Sequence, residues 1–211
     1  MHFLITAGPT REYLDPVRYL SNASTGRMGT ALAEAARRAG HRVTLVLGPV
    51  EIVPPEVDDL VRVTSAREMF EAVEARFEAC DAFLAAAAVA DYRPAAPSAE
   101  KIRKTAAPRT LVLEPTPDIL AEMARRRRPG QVLVGFCLES EDLEARARAK
   151  LEAKGLDLVV ANLPAAIGAD SQDALLIRRD GACEHLKAVA KDALAGRILA
   201  AVACLARGPS A

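Results

Sequence analysis

His2-Phe3-Leu4-Ile5-Thr6-Ala7-Gly8, then a charged loop, then Ser24-Thr25-Gly26-Arg27-Met28-Gly29 opening a run rich in alanine, sets the pattern of this chain. A short apolar segment closed by glycine reads as a buried strand, and the run that follows has helical period. The same alternation recurs. Residues 42–48, 60–64, 82–88, 132–139 and 156–162 read as further strands, and residues 26–39, 66–79, 117–127 and 142–154 as helices. Strands alternating with helices predict an α/β fold of three layers, a Rossmann-like, doubly wound and mostly parallel sheet. Residues 174–177 and 183–187 flank Arg179-Asp180-Gly181, a hairpin signal, so a C-terminal hairpin is expected before a last helix over residues 188–205. Thr116 and Pro117 fit an N-cap and first-turn pair for the third helix. With no repeat and no linker, residues 1–211 are expected to form one domain.

Lys plus Arg and Asp plus Glu balance at 28 each, so no whole-molecule field draws the chain to nucleic acid or to an anionic membrane. There is no uncharged stretch of about 18 residues and no basic leader ahead of Phe3, which predicts a soluble, cytoplasmic protein. Cys80, Cys137, Cys183 and Cys204 lie far apart without a CxxC pair. Spacing alone therefore argues against a zinc site or a redox pair, and His2, His41 and His185 have no partner at motif spacing.

Two segments are too long for ordinary connections, which run to roughly 4–6 residues: 9–25 and 90–108. The Ser24 to Gly29 cluster places backbone N–H groups and a positive dipole end where a phosphate chain could sit; the alternative is a plain helix cap. Ala85, Ala86 and Ala87 end the fourth strand, and Asp91 follows. Side chains this small let a flat ligand lie on the backbone, and a carboxylate there can accept from a base or ribose; the alternative is tight packing with Asp91 capping a turn. Lys101-Ile102-Arg103-Lys104 puts cations on a loop that could close over phosphates, although most basic clusters are merely solvated. Lys150 and Lys154 share one helix face, by default an exposed one.

Other chemistries find little support. G-x-G-x-x-G does not follow strand one, and Gly48-Pro49 stands where a ribose-binding acid would be expected, so a nicotinamide-dependent reductase is disfavoured. Neither a G-x-x-x-x-G-K-[ST] loop nor a G-x-S-x-G elbow nor an H-E-x-x-H helix occurs.

Read in order, Ile5-Thr6-Ala7-Gly8-Pro9-Thr10-Arg11-Glu12, Asp15-Pro16-Val17-Arg18-Tyr19-Leu20-Ser21-Asn22, Ser24-Thr25-Gly26-Arg27-Met28-Gly29, Ala86-Ala87-Ala88-Val89-Ala90-Asp91-Tyr92-Arg93-Pro94 and Lys101-Ile102-Arg103-Lys104 resemble the phosphopantothenoylcysteine synthetase (phosphopantothenate–cysteine ligase) family. Pro117-Asp118-Ile119-Leu120, Gly135-Phe136 and the region of Lys150, Lys154 and residues 157–162 extend the likeness over nearly the whole chain. The resemblance implies a ligase of coenzyme A biosynthesis. A nucleoside triphosphate, CTP in the bacterial type and ATP in the eukaryotic type, activates the carboxylate of 4′-phosphopantothenate as an acyl-nucleotide with loss of pyrophosphate. The cysteine amine then displaces the nucleotide.

By the same resemblance Asn22 donates to the acyl-nucleotide, Arg18 holds that loop or the substrate, and Lys101 sits over the phosphates. Gly8, Ser24, Thr25, Gly26, Met28 and Gly29 belong to the phosphate side. Ala85, Ala86, Ala87 and Asp91 take the base and ribose side with Pro117, Asp118, Ile119, Leu120, Phe136, Lys150 and Lys154. Mg²⁺ bridges the phosphates, with no protein ligands named. The family also implies a homodimer, whose contact is expected at the long loop and the terminal hairpin, and a flavin-dependent decarboxylase that is often fused and otherwise a separate partner. Departures are Thr116 where Asn is common, Cys137-Leu138-Glu139-Ser140 after Phe136, and residues 163–173, which lack the expected Asp and Phe. A non-catalytic nucleotide sensor on the same fold is the competing class, and the joint presence of Asn22, Arg18 and Lys101 weighs against it.

Overall fold

The structure is a computed structural model and describes residues 1–207. Six parallel strands are laid down as the alternation predicts: β1 (His2–Ala7), β4 (Arg42–Leu47), β5 (Asp59–Arg62), β6 (Ala82–Ala85), β9 (Val132–Leu138) and β10 (Leu158–Asn162). The antiparallel strands β11 (Ser171–Arg178) and β12 (Cys183–Ala190) complete an eight-stranded sheet in the order β12-β11-β10-β9-β6-β1-β4-β5. β1 pairs with β4 on one side and β6 on the other, so the chain reverses direction at the centre of the sheet.

Near-continuous apolar strands require cover on both faces, and the burial alternates accordingly. Phe3, Ile5 and Ala7 face the layer of α1 (Arg27–Arg38) and α5 (Lys191–Arg207), while Leu4, Val46 and Phe83 face α2 (Ala66–Phe77), α3 (Ile119–Arg126) and α4 (Leu143–Ala153). All six of those strand side chains are fully buried, each adding about 1–3 kcal/mol according to its size. No helix among the described residues is long and apolar enough to cross a membrane.

Several details differ from expectation. β6 stops at Ala85, because residues 86–91 turn out of the sheet to pair with the first loop: Ala88 N–H donates to the Gly8 carbonyl at 2.9 Å. The two long loops each carry a small hairpin, β2 (Arg11–Tyr13) with β3 (Tyr19–Ser21) and β7 (Tyr92–Pro94) with β8 (Leu113–Pro115). The cap of α3 is Asp118 rather than Thr116; its Oδ1 accepts from Ala121 N–H at 3.0 Å and Pro117 lies outside the helix. The last helix begins at Lys191, because Ala188 at φ 46° and its neighbours continue β12 instead.

Candidate active site

A cavity of about 800 Å³ opens at the C-terminal ends of β1, β6, β9 and β10, over the point where the sheet order reverses. Open α/β sheets bind ligands at this place. Its floor is the Ala85 to Ala88 segment. Thr6 Oγ1 accepts from Ala87 N–H at 3.3 Å, and Thr10 Oγ1 from Ala90 N–H at 3.0 Å, so the first loop fixes the course of this floor.

One wall is the N-terminus of α1. Gly26 adopts φ 75°, a left-handed turn that glycine alone takes without strain, and α1 has no side-chain cap. Gly29 packs so closely on β1 that an added Cβ would lie 2.4 Å from the Ala7 Cβ. The helix start is thus pressed onto the sheet with its first N–H groups left for a ligand. The opposite wall brings a second helix start, α3, and two lysines from α4. Lys150 Nζ donates to the Phe136 carbonyl at 2.5 Å, and Lys154 Nζ pairs with Asp118 Oδ2 at 2.9 Å. Burial, and then Lys154 nearby, pull the Lys150 ammonium below its ordinary range, so an anion in the cavity would stabilise its charged form. Burial opposes ionisation of Asp118, but the bonds from Ala121 and Lys154 outweigh it and hold the carboxyl below its usual range.

Of the residues singled out above, Asn22, Ser24, Thr25, Gly26, Met28, Gly29, Ala85, Ala86, Ala87, Asp91, Pro117, Asp118, Ile119, Leu120, Phe136, Lys150 and Lys154 line this cavity. Gly8, Arg18 and Lys101 do not. Gly8 lies behind the floor, where its carbonyl holds Ala88. Arg18 grips Asp15 through its guanidinium and donates to the Ile102 carbonyl at 2.6 Å. Asp15 Oδ2 in turn accepts from Ile102 N–H at 3.1 Å. Arg18 therefore ties the turn of the first loop to Ile102 of the second, and Lys101 is exposed beside that anchor. Asn22 also departs from the simplest expectation: its amide nitrogen donates to the carbonyls of Ala88 at 3.2 Å and Val89 at 3.0 Å, so in this structure it braces the floor.

The bond to Arg18, with further backbone bonds overcoming the cost of burial, holds the Asp15 carboxyl far below the usual carboxylate range. A depressed native pKa means the tether is complete above about pH 4, the unfolded value, and is lost only as pH falls through the native one. Hydrogen exchange of Ile102 should therefore stay protected well below about pH 4 in the wild type, after correction for intrinsic rates. In Asp15→Ala it should be unprotected at every pH; equal protection would refute the tether.

The family model for the DNA/pantothenate metabolism flavoprotein C-terminal domain matches residues 1–205. The chain belongs to this family. The coenzyme A biosynthesis bifunctional protein CoaBC of Bacillus subtilis is 43% identical over 211 residues, covering 98% of this chain and 52% of that protein. The protein of the same name from Vibrio parahaemolyticus is 48% identical over 161 residues, covering 75% of this chain and 40% of that one. The chain thus spans about half the length of the curated relatives it matches. A crystal structure of the C-terminal domain of a CoaBC protein superposes with a TM-score of 0.85 at 36% identity, over 98% of this chain and 95% of that one.

In this member of the flavoprotein C-terminal domain family the cavity has a third wall that sequence reasoning missed. Arg27 Nη1 donates to the Gly168 carbonyl at 3.1 Å and to Asp170 Oδ1 at 2.9 Å. Lys191 Nζ donates to the carbonyls of Ala166 and Ala169, at 3.1 and 2.6 Å, and to Gln172 Oε1 at 3.1 Å. These bonds fold residues 163–170 over the α1 start. A lone lysine at the head of a helix gives no sequence signal for such a role; only the return of β11 to the cavity edge reveals it. Cys80, by contrast, is the inert apolar filler expected, its thiol pushed up to about 12 by burial.

Proposed function

We propose that this domain is the phosphopantothenate–cysteine ligase of coenzyme A biosynthesis. Its carboxylate substrate attacks the α-phosphorus of a nucleoside triphosphate, CTP more readily than ATP, pyrophosphate leaves, and the cysteine amine then displaces the nucleotide from the acyl carbon. The observation that carries the reading is the convergence of the uncapped α1 N-terminus and Lys150 on one cavity, above a floor of alanines at the sheet reversal. Such a cavity offers donors and positive charge to a triphosphate, which suits a reaction whose new charge accumulates on phosphoryl and acyl oxygens.

In this reading the N–H groups at Gly26 to Gly29 receive phosphate, Asp91 and the Pro117 to Leu120 turn meet the ribose and base, and Lys150 and Lys154 add charge. The carboxylates at the cavity do not form a cage: Asp118 is committed to Lys154, and Glu139 lies 3.5 Å from Arg146. Mg²⁺ would accordingly be held mainly by the phosphates it bridges and would neutralise their charge. A homodimer is part of the proposal. Val17, Tyr92 and Val112 are 57%, 55% and 69% exposed on the two small hairpins, an apolar surface that a second copy would cover and that adjoins the Lys101 loop. The site of a separate or fused decarboxylase is left to the remainder of longer relatives.

The acyl-nucleotide can be tested directly. Protein mixed with 4′-phosphopantothenate, Mg²⁺ and CTP but no cysteine should release about one pyrophosphate per site in a burst, and hydroxylamine should trap the acyl group. A burst without phosphopantothenate, or none at all, would reject the proposed order of steps.

A further inference from the structure

Outside the cavity, the fold brings Glu144 of α4 to Cys183 and His185 of β12. Cys183 and His185 stand two positions apart on β12 and so share one face of that edge strand, and Cys183 packs against the apolar layer that contains Ala147 and Leu151 of α4. Glu144, in the first turn of α4, completes the group: one donor atom each from Glu144, Cys183 and His185 lies within 4.8 Å of the other two. Arg148 engages only Oε1 of Glu144, at 3.0 and 2.8 Å, so Oε2 is without a partner among the described residues. The thiol of Cys183 and the ring of His185 make no hydrogen bond among them either.

We propose that Glu144, Cys183 and His185 form a binding site for a zinc-class divalent ion, with water as the fourth ligand. One sulfur, one imidazole nitrogen and one carboxylate oxygen match the ligand preferences of Zn²⁺ and disfavour Mg²⁺ or Ca²⁺, which take oxygen alone. Ligand distances of about 2.0–2.3 Å bring tetrahedral donors to roughly 3.3–3.8 Å from each other. The donors lie within 4.8 Å, so metal binding would require the exposed His185 ring and the Glu144 carboxylate to rotate inward. The ion would clip α4 to the sheet edge. Because α4 carries Lys150 and ends at Lys154, the clip would steady both lysines in the cavity.

The test uses metal alone. Chelator-treated protein is titrated with Co²⁺ and then Zn²⁺, following visible and near-ultraviolet absorption. One Co²⁺ per chain should bind with tetrahedral d–d bands and a thiolate-to-metal charge-transfer band, both removed by one equivalent of Zn²⁺. Cys183→Ser should abolish the charge-transfer band, His185→Gln and Glu144→Gln should each weaken binding by at least about 10-fold, and Cys204→Ser should change nothing. Circular dichroism checks that each variant is folded. Failure of the wild type to bind, or binding that keeps its band and affinity in Cys183→Ser or His185→Gln, overturns the site.

Discussion

Asn22→Ala retains nucleotide binding and loses about 10²–10³-fold in the rate of pyrophosphate release, the loss expected when one positioned donor to a developing oxyanion is removed. Asn22 lines the cavity and in the free protein spends its amide donors on the Ala88 and Val89 carbonyls. To serve an acyl-nucleotide it exchanges those bonds for bonds to the intermediate, so its effect belongs to turnover rather than to binding. Calorimetry of CTP with the variant and a steady-state assay separate the two. A fall in affinity equal to the fall in rate would mean that Asn22 is only a brace for the floor, and an unchanged rate would remove it from the mechanism altogether.

Lys101→Gln deletes the charge and leaves a polar side chain one atom shorter, and pyrophosphate release falls by a comparable factor of about 10²–10³. Lys101 lies outside the cavity of its own chain, exposed beside the Ile102 anchor held by Asp15 and Arg18. The proposed dimer would resolve this placement by carrying the loop to the partner's cavity. Mixing the two inactive variants then restores about a quarter of wild-type activity, because half the dimers are mixed and each mixed dimer holds one intact site of two. No recovery on mixing, with each variant separately inactive, would place Lys101 in its own subunit's site. A wild-type rate in Lys101→Gln would remove it from catalysis.

The parallel strands and their helices were legible because burial on both faces writes itself as near-continuous apolar runs, as in residues 3–7 and 43–47, each broken by a single threonine. The floor and the α1 side of the cavity were suggested by small residues and a helix start at a strand end, whereas the α3 and α4 side entered only through the family resemblance, since Lys150 and Lys154 read by default as an exposed face. What could not be read depends on contacts distant in sequence. The three-residue strands of the first loop are held from outside, with the buried Glu12 carboxylate accepting from Ala66 N–H at 2.8 Å. Thr116 lost the capping role to Asp118 because its hydroxyl bonds the Ala90 carbonyl at 2.5 Å instead. Lys191 and Arg27 reach the cavity edge only through the fold of residues 163–170, and Cys183 meets Glu144 only once β12 has joined the sheet.

The measurement that bears most directly on the central claim is continuous pyrophosphate release by the purified protein with 4′-phosphopantothenate, Mg²⁺ and cysteine, comparing CTP with ATP. Multiple turnovers that require both phosphopantothenate and cysteine and run faster with CTP are the expected result. Faster release with ATP would reverse the nucleotide assignment while keeping the ligase. No release with either nucleotide, from protein that is folded and binds nucleotide, would contradict the ligase reading and leave a nucleotide-binding protein without this chemistry.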